Sequence, residues 1–378
     1  MERSTKRILT THTGSLPRPN DLLSLLDSHT PDRASEVAAA VSQAVKDVVL
    51  RQVQAGVDVV NDGEMSKPSY ATYVKDRLSG FDGEAGTMAI GDFADYPEYG
   101  ERFMSQGVMQ NLARPACTGP VTCKDTRAVQ TDIANLKAAL ANSNATEGFM
   151  SAASPGVISI FLANQYYKRH EDYLAALAEA MKPEYRAITD AGFVLQIDCP
   201  DLAMGRHIQF PDAPLGEFRK NIETHIEALN YALAGIPADR ARLHLCWGNY
   251  EGPHHRDVPL RDIIDIVFKA NVSGISYEAS NPRHEHEWAV FEDVKLPAGK
   301  VLVPGVIDSV NNFIEHPELV AQRIVNVARL VGRENVIAGT DCGFATVAGF
   351  SVVDPKICWA KFQSLAEGAR LASVKLFQ

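Results

Sequence analysis

A single TIM (β/α)₈ barrel with insertions at its C-terminal face is the fold this sequence predicts, on three observations. Eight short apolar runs rich in Val, Ile and Leu alternate with longer segments of helical spacing, the pattern of a parallel sheet covered by helices. No G-x-G-x-x-G follows any of the runs, which argues against an open dinucleotide-binding sheet. The 378 residues exceed a minimal barrel, and the surplus gathers in two stretches instead of forming a second alternating unit. One domain over 1–378 is therefore expected.

The runs expected as strands are RILTT (7–11), VDVVN (57–61), GPVT (119–122) and FVLQI (193–197). RLHLCW (242–247), SGISYE (273–278), VLVPGV (301–306) and NVIAG (335–339) complete the eight. Between them, 34–56 and 170–192 each carry an apolar stripe that ends on Ala-Gly, a helix stop signal. Residues 316–332 and 354–373 have the same helical spacing. The two stretches outside this rhythm, 65–116 and 123–169, are expected as insertions capping the barrel mouth, where loops shape a pocket.

Composition narrows the function. Hydrophobic residues make up 46% and charged residues 22%, as in a soluble globular protein with a large core. The net charge of −10 argues against a nucleic-acid or anionic-membrane partner and leaves a small-molecule partner. Six cysteines are too sparse for a disulfide scaffold and read as reduced thiols in the cytoplasm. No run approaches a membrane span, and the opening residues lack a signal-peptide core. Oligomeric state is not legible.

The strongest local signal is Leu243-His244-Leu245-Cys246-Trp247. Alternate residues of a strand share a face, so His244 and Cys246 point one way together. An imidazole and a thiolate at a strand end suit Zn²⁺; taken alone, the pair reads more readily as a buried Cys beside a core His. Glu278 ends the sixth run and Cys342 follows the eighth. In a barrel all strand C-termini meet at one mouth, so His244, Cys246, Glu278 and Cys342 would supply one nitrogen, two sulfurs and one oxygen to zinc. Two thiolates and a carboxylate leave such a site at −1, suited to activating a substrate thiol for alkylation more than to generating hydroxide. Glu64, in Asp62-Gly63-Glu64, and Asp198, in Gln196-Ile197-Asp198, follow strands two and four. Each either holds a substrate ammonium or caps a helix. Ser15, after Gly14, either binds a carboxylate or is a turn residue.

Other clusters are set aside. His254-His255 and His284-Glu285-His286-Glu287 are expected to face water, because they lack the i, i+4 spacing of a helical metal motif. Cys117, Cys123 and Cys199 fall near strand ends as candidate pocket lining, and Cys358 lies on an apolar helix stripe as core.

Together, Thr13-Gly14-Ser15-Leu16-Pro17-Arg18-Pro19, Asp62-Gly63-Glu64, Gly119-Pro120-Val121-Thr122 and Gln196-Ile197-Asp198-Cys199-Pro200 occur in order. His244-Leu245-Cys246, Glu278 and Asp341-Cys342-Gly343 follow them. The chain thereby resembles the catalytic barrel of cobalamin-independent methionine synthases and their single-barrel relatives, over nearly its whole length. The resemblance implies a TIM barrel in which His244, Cys246, Glu278 and Cys342 bind zinc. It implies that Ser15, Glu64 and Asp198 hold the amino-acid part of homocysteine, and that an alkyl donor methylates its thiol. Asp308 would orient a proton donor to the leaving group. Two departures fall on the methyl-donor side. The family has a histidine after Gly305-Val306-Ile307-Asp308 where this chain has Ser309. It has a tryptophan segment after Gly119–Thr122 where this chain has Cys123-Lys124. The donor is therefore not assigned to folate. Two other readings are an epoxide-opening transferase that resembles epoxyalkane:coenzyme M transferases, with Arg18, Lys67 and Arg206 as cations for a sulfonate, and a metal-free barrel of the uroporphyrinogen decarboxylase type.

Overall fold

The computed structural model describes residues 1–27, 30–86, 88–105 and 114–378. Eight short strands form the inner layer: β1 (Leu9–Thr10), β2 (Val59–Val60), β3 (Glu147–Ala153), β4 (Val194–Asp198), β5 (Ala241–Leu245), β6 (Gly274–Tyr277), β7 (Val301–Pro304) and β8 (Ile337–Ala338). A helix follows each in turn: α1 (Ala34–Gln54), α2 (Arg127–Leu140), α3 (His170–Asp190), α4 (Leu215–Ala232), α5 (Ile264–Val267), α6 (Val290–Asp293), α7 (Pro317–Val331) and α8 (Pro355–Leu376). Further short helices lie between these, and they are named below by residue range.

Strands β2 to β7 pair in order as one six-stranded parallel sheet. β1 and β8 form a separate parallel pair. Parallel bridges Leu302–Val336 and Gly305–Gly339 join the β7 edge to the β8 segment. On the other side, Asp58 N–H donates to Thr10 O (3.2 Å) and Thr11 Oγ1 donates to Val59 O (3.0 Å). The sheet is thus curled, with helices outside.

The sequence explains the outer layer directly. In α1 the buried side chains Val41, Ala44, Val45, Val48, Val49 and Gln52 recur at helical spacing, and the helix stops where Gly56 turns to φ 88°. α8 begins at Asp354, whose carboxylate accepts Lys356 N–H (2.7 Å) ahead of Pro355 in the first turn.

One expected strand is misplaced. Residues 119–122 form a loop held by Val121 N–H donating to Tyr167 Oη (2.9 Å). The third strand of the sheet is instead β3, and α2 packs beside α1. Residues 127–153 therefore belong to the repeating strand–helix layer and not to an insertion over it. A separate three-stranded sheet of 83–85, 114–117 and 163–164 carries the other insertion, of which residues 87 and 106–113 lie outside those described. Arg77, at the base of that insertion, donates to Asp132 of α2 (2.5 Å) and Glu184 of α3 (3.1 Å) in a buried ion-pair network.

Candidate metal centre

The C-terminal ends of the parallel strands converge, as the barrel argument requires. The register sets Asp198 against His244 and His244 against Ser276 on neighbouring strands. His244 Nδ1 lies 3.3 Å from Ser276 Oγ, while its buried Nε2 has no hydrogen-bond partner. Burial, then the charge of Arg242, pulls this imidazole down to about 3, so at neutral pH a bare ring-nitrogen lone pair is available. Cys246, two residues after His244, lies directly past the end of β5, and Cys342 follows β8. Their sulfurs lie 3.7 Å apart, and ligand atoms of His244, Cys246 and Cys342 all fall within 4.8 Å of one another.

That spacing is informative. A disulfide needs about 2.05 Å between sulfurs, whereas two thiolates at about 2.3 Å from a tetrahedral zinc lie roughly 3.8 Å apart. The mutual hydrogen bond and burial push the Cys246 thiol well up. At Cys342 the contact with Cys246 pulls down, but burial and the Glu278 charge outweigh it and leave that thiol raised too. A bound cation reverses this by favouring the thiolate. An orphaned buried nitrogen beside two sulfurs is a donor set that fits zinc.

Glu278 stands beside this group but is not one of the three convergent ligands. Its Oε1 accepts Trp247 N–H (2.7 Å) and its Oε2 accepts from Asn281 Nδ2 (2.8 Å). Each oxygen retains a second lone pair. Asp341, to which no local sequence signal gives a role, organises this corner. Its two oxygens accept the backbone N–H groups of Ala279, Ser280 and Asn281 at 2.8–2.9 Å. Burial, then the charge of Asp308, raises that carboxyl to about 7.

A cavity partly open to solvent adjoins the three ligands. Its wall carries all three residues expected to hold substrate: Ser15, Glu64 and Asp198. Glu64 sits at φ 58°, an unusual conformation for a side-chain-bearing residue. Asx contacts from Asp62 and Asn61 hold that turn (3.0 and 2.8 Å). Glu64 Oε1 accepts from Ser151 Oγ (2.7 Å), and Oε2 is buried without a partner. Burial, then the Glu64 charge, raises Asp198 to about 8. Ser15 reaches the Cys342 loop because Gly343 has no side chain; a Cβ there would come within 2.0 Å of Ser15 Oγ.

Tyr70, Asn249 and Thr346 also line the cavity, and no local sequence motif marks them. Cys117, Cys123 and Cys199 do not line it, and Cys358 is core as expected. Asp308 is absent from the lining. Its carboxylate closes a turn, accepting from Val310 N–H (2.7 Å) and Asn311 Nδ2 (2.5 Å). The discounted histidines divide. His286 is exposed, but His284 is 3% exposed and stacks on Trp247 at 4.1 Å between ring centroids.

The sequence profile of the cobalamin-independent synthase catalytic domain matches residues 8–354. The chain belongs to that family. A methionine synthase of Saccharolobus islandicus is 26% identical over 97% of this chain and 95% of its own. One of Sulfolobus acidocaldarius is 24% identical over 97% and 93%. Among solved structures, a B12-independent methionine synthase from Shewanella sp. W3-18-1, in complex with selenomethionine, superimposes with a TM-score of 0.73. It is 20% identical and covers 98% of this chain and 99% of its own. A putative vitamin-B12-independent methionine synthase from Listeria monocytogenes gives 0.66 at 19% identity, covering 96% and 98%. For a member of the cobalamin-independent synthase family, methyltransferase chemistry is the expected activity. Among the described residues, no helix is long and apolar enough to cross a membrane.

Proposed function

We propose that this chain methylates the thiol of homocysteine, with zinc held by His244, Cys246 and Cys342 and the set completed by Glu278. The observation that carries the proposal is the buried His244, its Nε2 unpartnered, with a ring nitrogen within 4.8 Å of the Cys246 and Cys342 sulfurs, beside a cavity lined by Ser15, Glu64 and Asp198. Zinc at such a site lowers the pKa of an incoming thiol and keeps its sulfur electron-rich. Glu64 and Asp198 offer carboxylates to an ammonium group, and Ser15 a hydroxyl to a carboxylate. Sulfur forms a new bond to the donor's methyl carbon while that carbon's bond to the donor breaks, and the electron pair leaves with the donor. The Shewanella relative was solved with selenomethionine, an analogue of the product such a reaction makes.

The epoxide-opening alternative is disfavoured by where its cations went. Arg18 donates to the backbone oxygens of Glu64, Lys67 and Ala345. Lys67 Nζ donates to Ser151 O and Oγ, and Arg206 to Phe210 O and Pro211 O. None lines the cavity. Asp308 is assigned a positioning role, shaping the turn from which Ser309 Oγ donates to Asn249 Oδ1 (3.0 Å) in the cavity wall. The methyl donor stays unassigned, because both departures from the family pattern fall on its side.

We read the six-stranded sheet and the β1–β8 pair as one closed eight-stranded barrel and one domain. The bridges at one seam and the Asp58–Thr10 contact at the other support that reading. A cytoplasmic compartment fits six free cysteines. The test is to incubate zinc-loaded protein with homocysteine and a panel of methyl donors and to detect methionine by mass spectrometry. Absence of any thioether from homocysteine, with an epoxide or another thiol reacting instead, would overturn the assignment.

A further inference from the structure

A second group of convergent donors lies on the far side of Trp247. Asp92, from the short helix Gly91–Asp95 of the insertion, meets His254 and Asp257 of the loop after β5. Their ligand atoms all lie within 4.8 Å of one another. Asp92 is fully buried; its Oδ2 accepts from Tyr250 Oη (2.8 Å), and its Oδ1 has no hydrogen bond. Asp257, with its side chain 2% exposed, likewise keeps Oδ1 unpartnered. From these two Oδ1 atoms, His255 Nδ1 (to Asp92) and His207 Nε2 (to Asp257) stand off at 3.6 Å.

The imidazole between them is oriented as a ligand would be. His254 Nε2 donates to Tyr250 O (3.0 Å), which leaves Nδ1 directed at Asp257 Oδ2 (3.0 Å). In the neutral ring that is a lone pair facing a carboxylate, so a positive charge has to stand there, either a proton or a metal ion. A ligating histidine commonly donates its other N–H to a carbonyl in this way. His284 makes its contact with Asp257 Oδ2 and with neither orphaned oxygen. It bridges Asp257 (3.0 Å) and Glu287 (2.8 Å), so its own charge is cancelled by Glu287. Two buried carboxylates, each with an unsatisfied oxygen, therefore share one site, and each such atom is costly without a partner. A proton on His254 satisfies one contact and neither orphaned oxygen.

We propose that Asp92, His254 and Asp257 bind a second divalent cation of the zinc class, sharing no ligand with the thiolate site and pinning the 91–105 insertion to the loop after Cys246. One imidazole with two carboxylates suits zinc or a neighbouring first-row ion; calcium and magnesium take six or more oxygens, counting waters. The close approach is built in at Gly91, where a Cβ would come within 2.6 Å of His207 O. Because His284 stacks on Trp247, next to Cys246, the ion braces the wall behind the first site.

The test uses the full chain carrying Cys246→Ser and Cys342→Ser, which removes the first site whatever its function. After chelation and titration with Zn²⁺, this protein is expected to bind one zinc per chain by calorimetry and elemental analysis, with a raised melting temperature. Adding Asp92→Asn or His254→Gln should weaken that binding more than about 100-fold, while Tyr250→Phe, which keeps all three ligands, should retain it. With Co²⁺, visible d–d bands should appear without sulfur-to-cobalt charge transfer. The proposal is overturned if the double-cysteine variant, with wild-type near-UV dichroism, binds no zinc. It is equally overturned if Asp92→Asn and His254→Gln leave zinc affinity unchanged.

Discussion

Replacing Glu64 by Gln isolates what the cavity does with an amino-acid thiol. Glu64 is 2% exposed, its main-chain oxygen is pinned by Arg18 (2.7 Å), and its Oε1 by Ser151. The amide has nearly the same shape and keeps an oxygen for Ser151, so the site should stay folded and metal content unchanged. What disappears is the charge on the arm whose Oε2 is buried and unpartnered. A buried hydrogen bond between opposite charges is worth about 2–4 kcal/mol when one partner is neutralised. At about 1.4 kcal/mol per tenfold, homocysteine should bind roughly 30- to 700-fold more weakly. Calorimetry with zinc-loaded protein measures this. The control ligand is 4-mercaptobutanoate, which keeps thiol and carboxylate but lacks the ammonium; wild type and variant should bind it alike. An affinity for homocysteine within about threefold of wild type, well under 1 kcal/mol, would refute the assignment. So would an equal loss for both ligands. Gly14→Ala offers a second arm, since its Cβ would lie 2.7 Å from Glu64 Oε1.

Three further outcomes follow from other parts of the molecule. Cys246→Ser and Cys342→Ser should each abolish tight zinc binding at the first site, whereas Glu278→Gln, whose oxygens already serve Trp247 and Asn281, should weaken it by about 10- to 100-fold, measured by competition with a chelator. Arg77→Met should cost about 3–5 kcal/mol in urea unfolding by leaving Asp132 and Glu184 buried without their cation. His12, fully buried and held down to about 3 chiefly by burial, stays neutral when folded. Its contribution is present above the unfolded value near 6.5 and is lost as pH falls from there toward 3. His12→Phe should remove about one proton, or at most about 1.4 kcal/mol per pH unit, from the acid-side slope of stability. An unchanged slope would count against that burial.

Seven of the eight strands were legible because their runs are rich in Val, Ile and Leu, as strands buried between a core and helices must be. The third was not. Residues 147–153, EGFMSAA, are mostly small, and two of the small residues have a tertiary reason. Gly148 packs where a Cβ would come within 2.7 Å of Leu140, and Ser151 serves Glu64 and Lys67. Such contacts leave no periodic signal, so the apolar-looking GPVT attracted the assignment instead. That His244 and Cys246 share a face was legible from alternation, and that Cys342 meets them from its place after the last strand of a parallel sheet. The orientation of Glu278 was not, because Trp247, Asn281 and Asp341 set it across the sheet. His254 and His284 were misjudged for a related reason. Their polarity predicts water, but Tyr250 and, from the 91–105 insertion, Asp92 cover His254 in part and Trp247 covers His284, and only the folded chain shows these neighbours.

The donor side of the cavity carries a proton argument of its own. Where the family pattern has a histidine, Ser309 Oγ donates to Asn249 Oδ1, and Asn249 Nδ2 donates to Gly343 O (2.8 Å). A hydroxyl, an amide and a carbonyl can orient a group, but none exchanges a proton near neutrality as an imidazole does. A leaving group that needs protonation must then receive it from elsewhere or from water. Ser309→His should therefore add a limb to the pH dependence of kcat near the imidazole value of about 6.5, with zinc content and homocysteine affinity unchanged. Superimposable profiles for wild type and Ser309→His, at equal metal loading, would show that position 309 does not face the leaving group, and the donor-side departure would lose its chemical meaning.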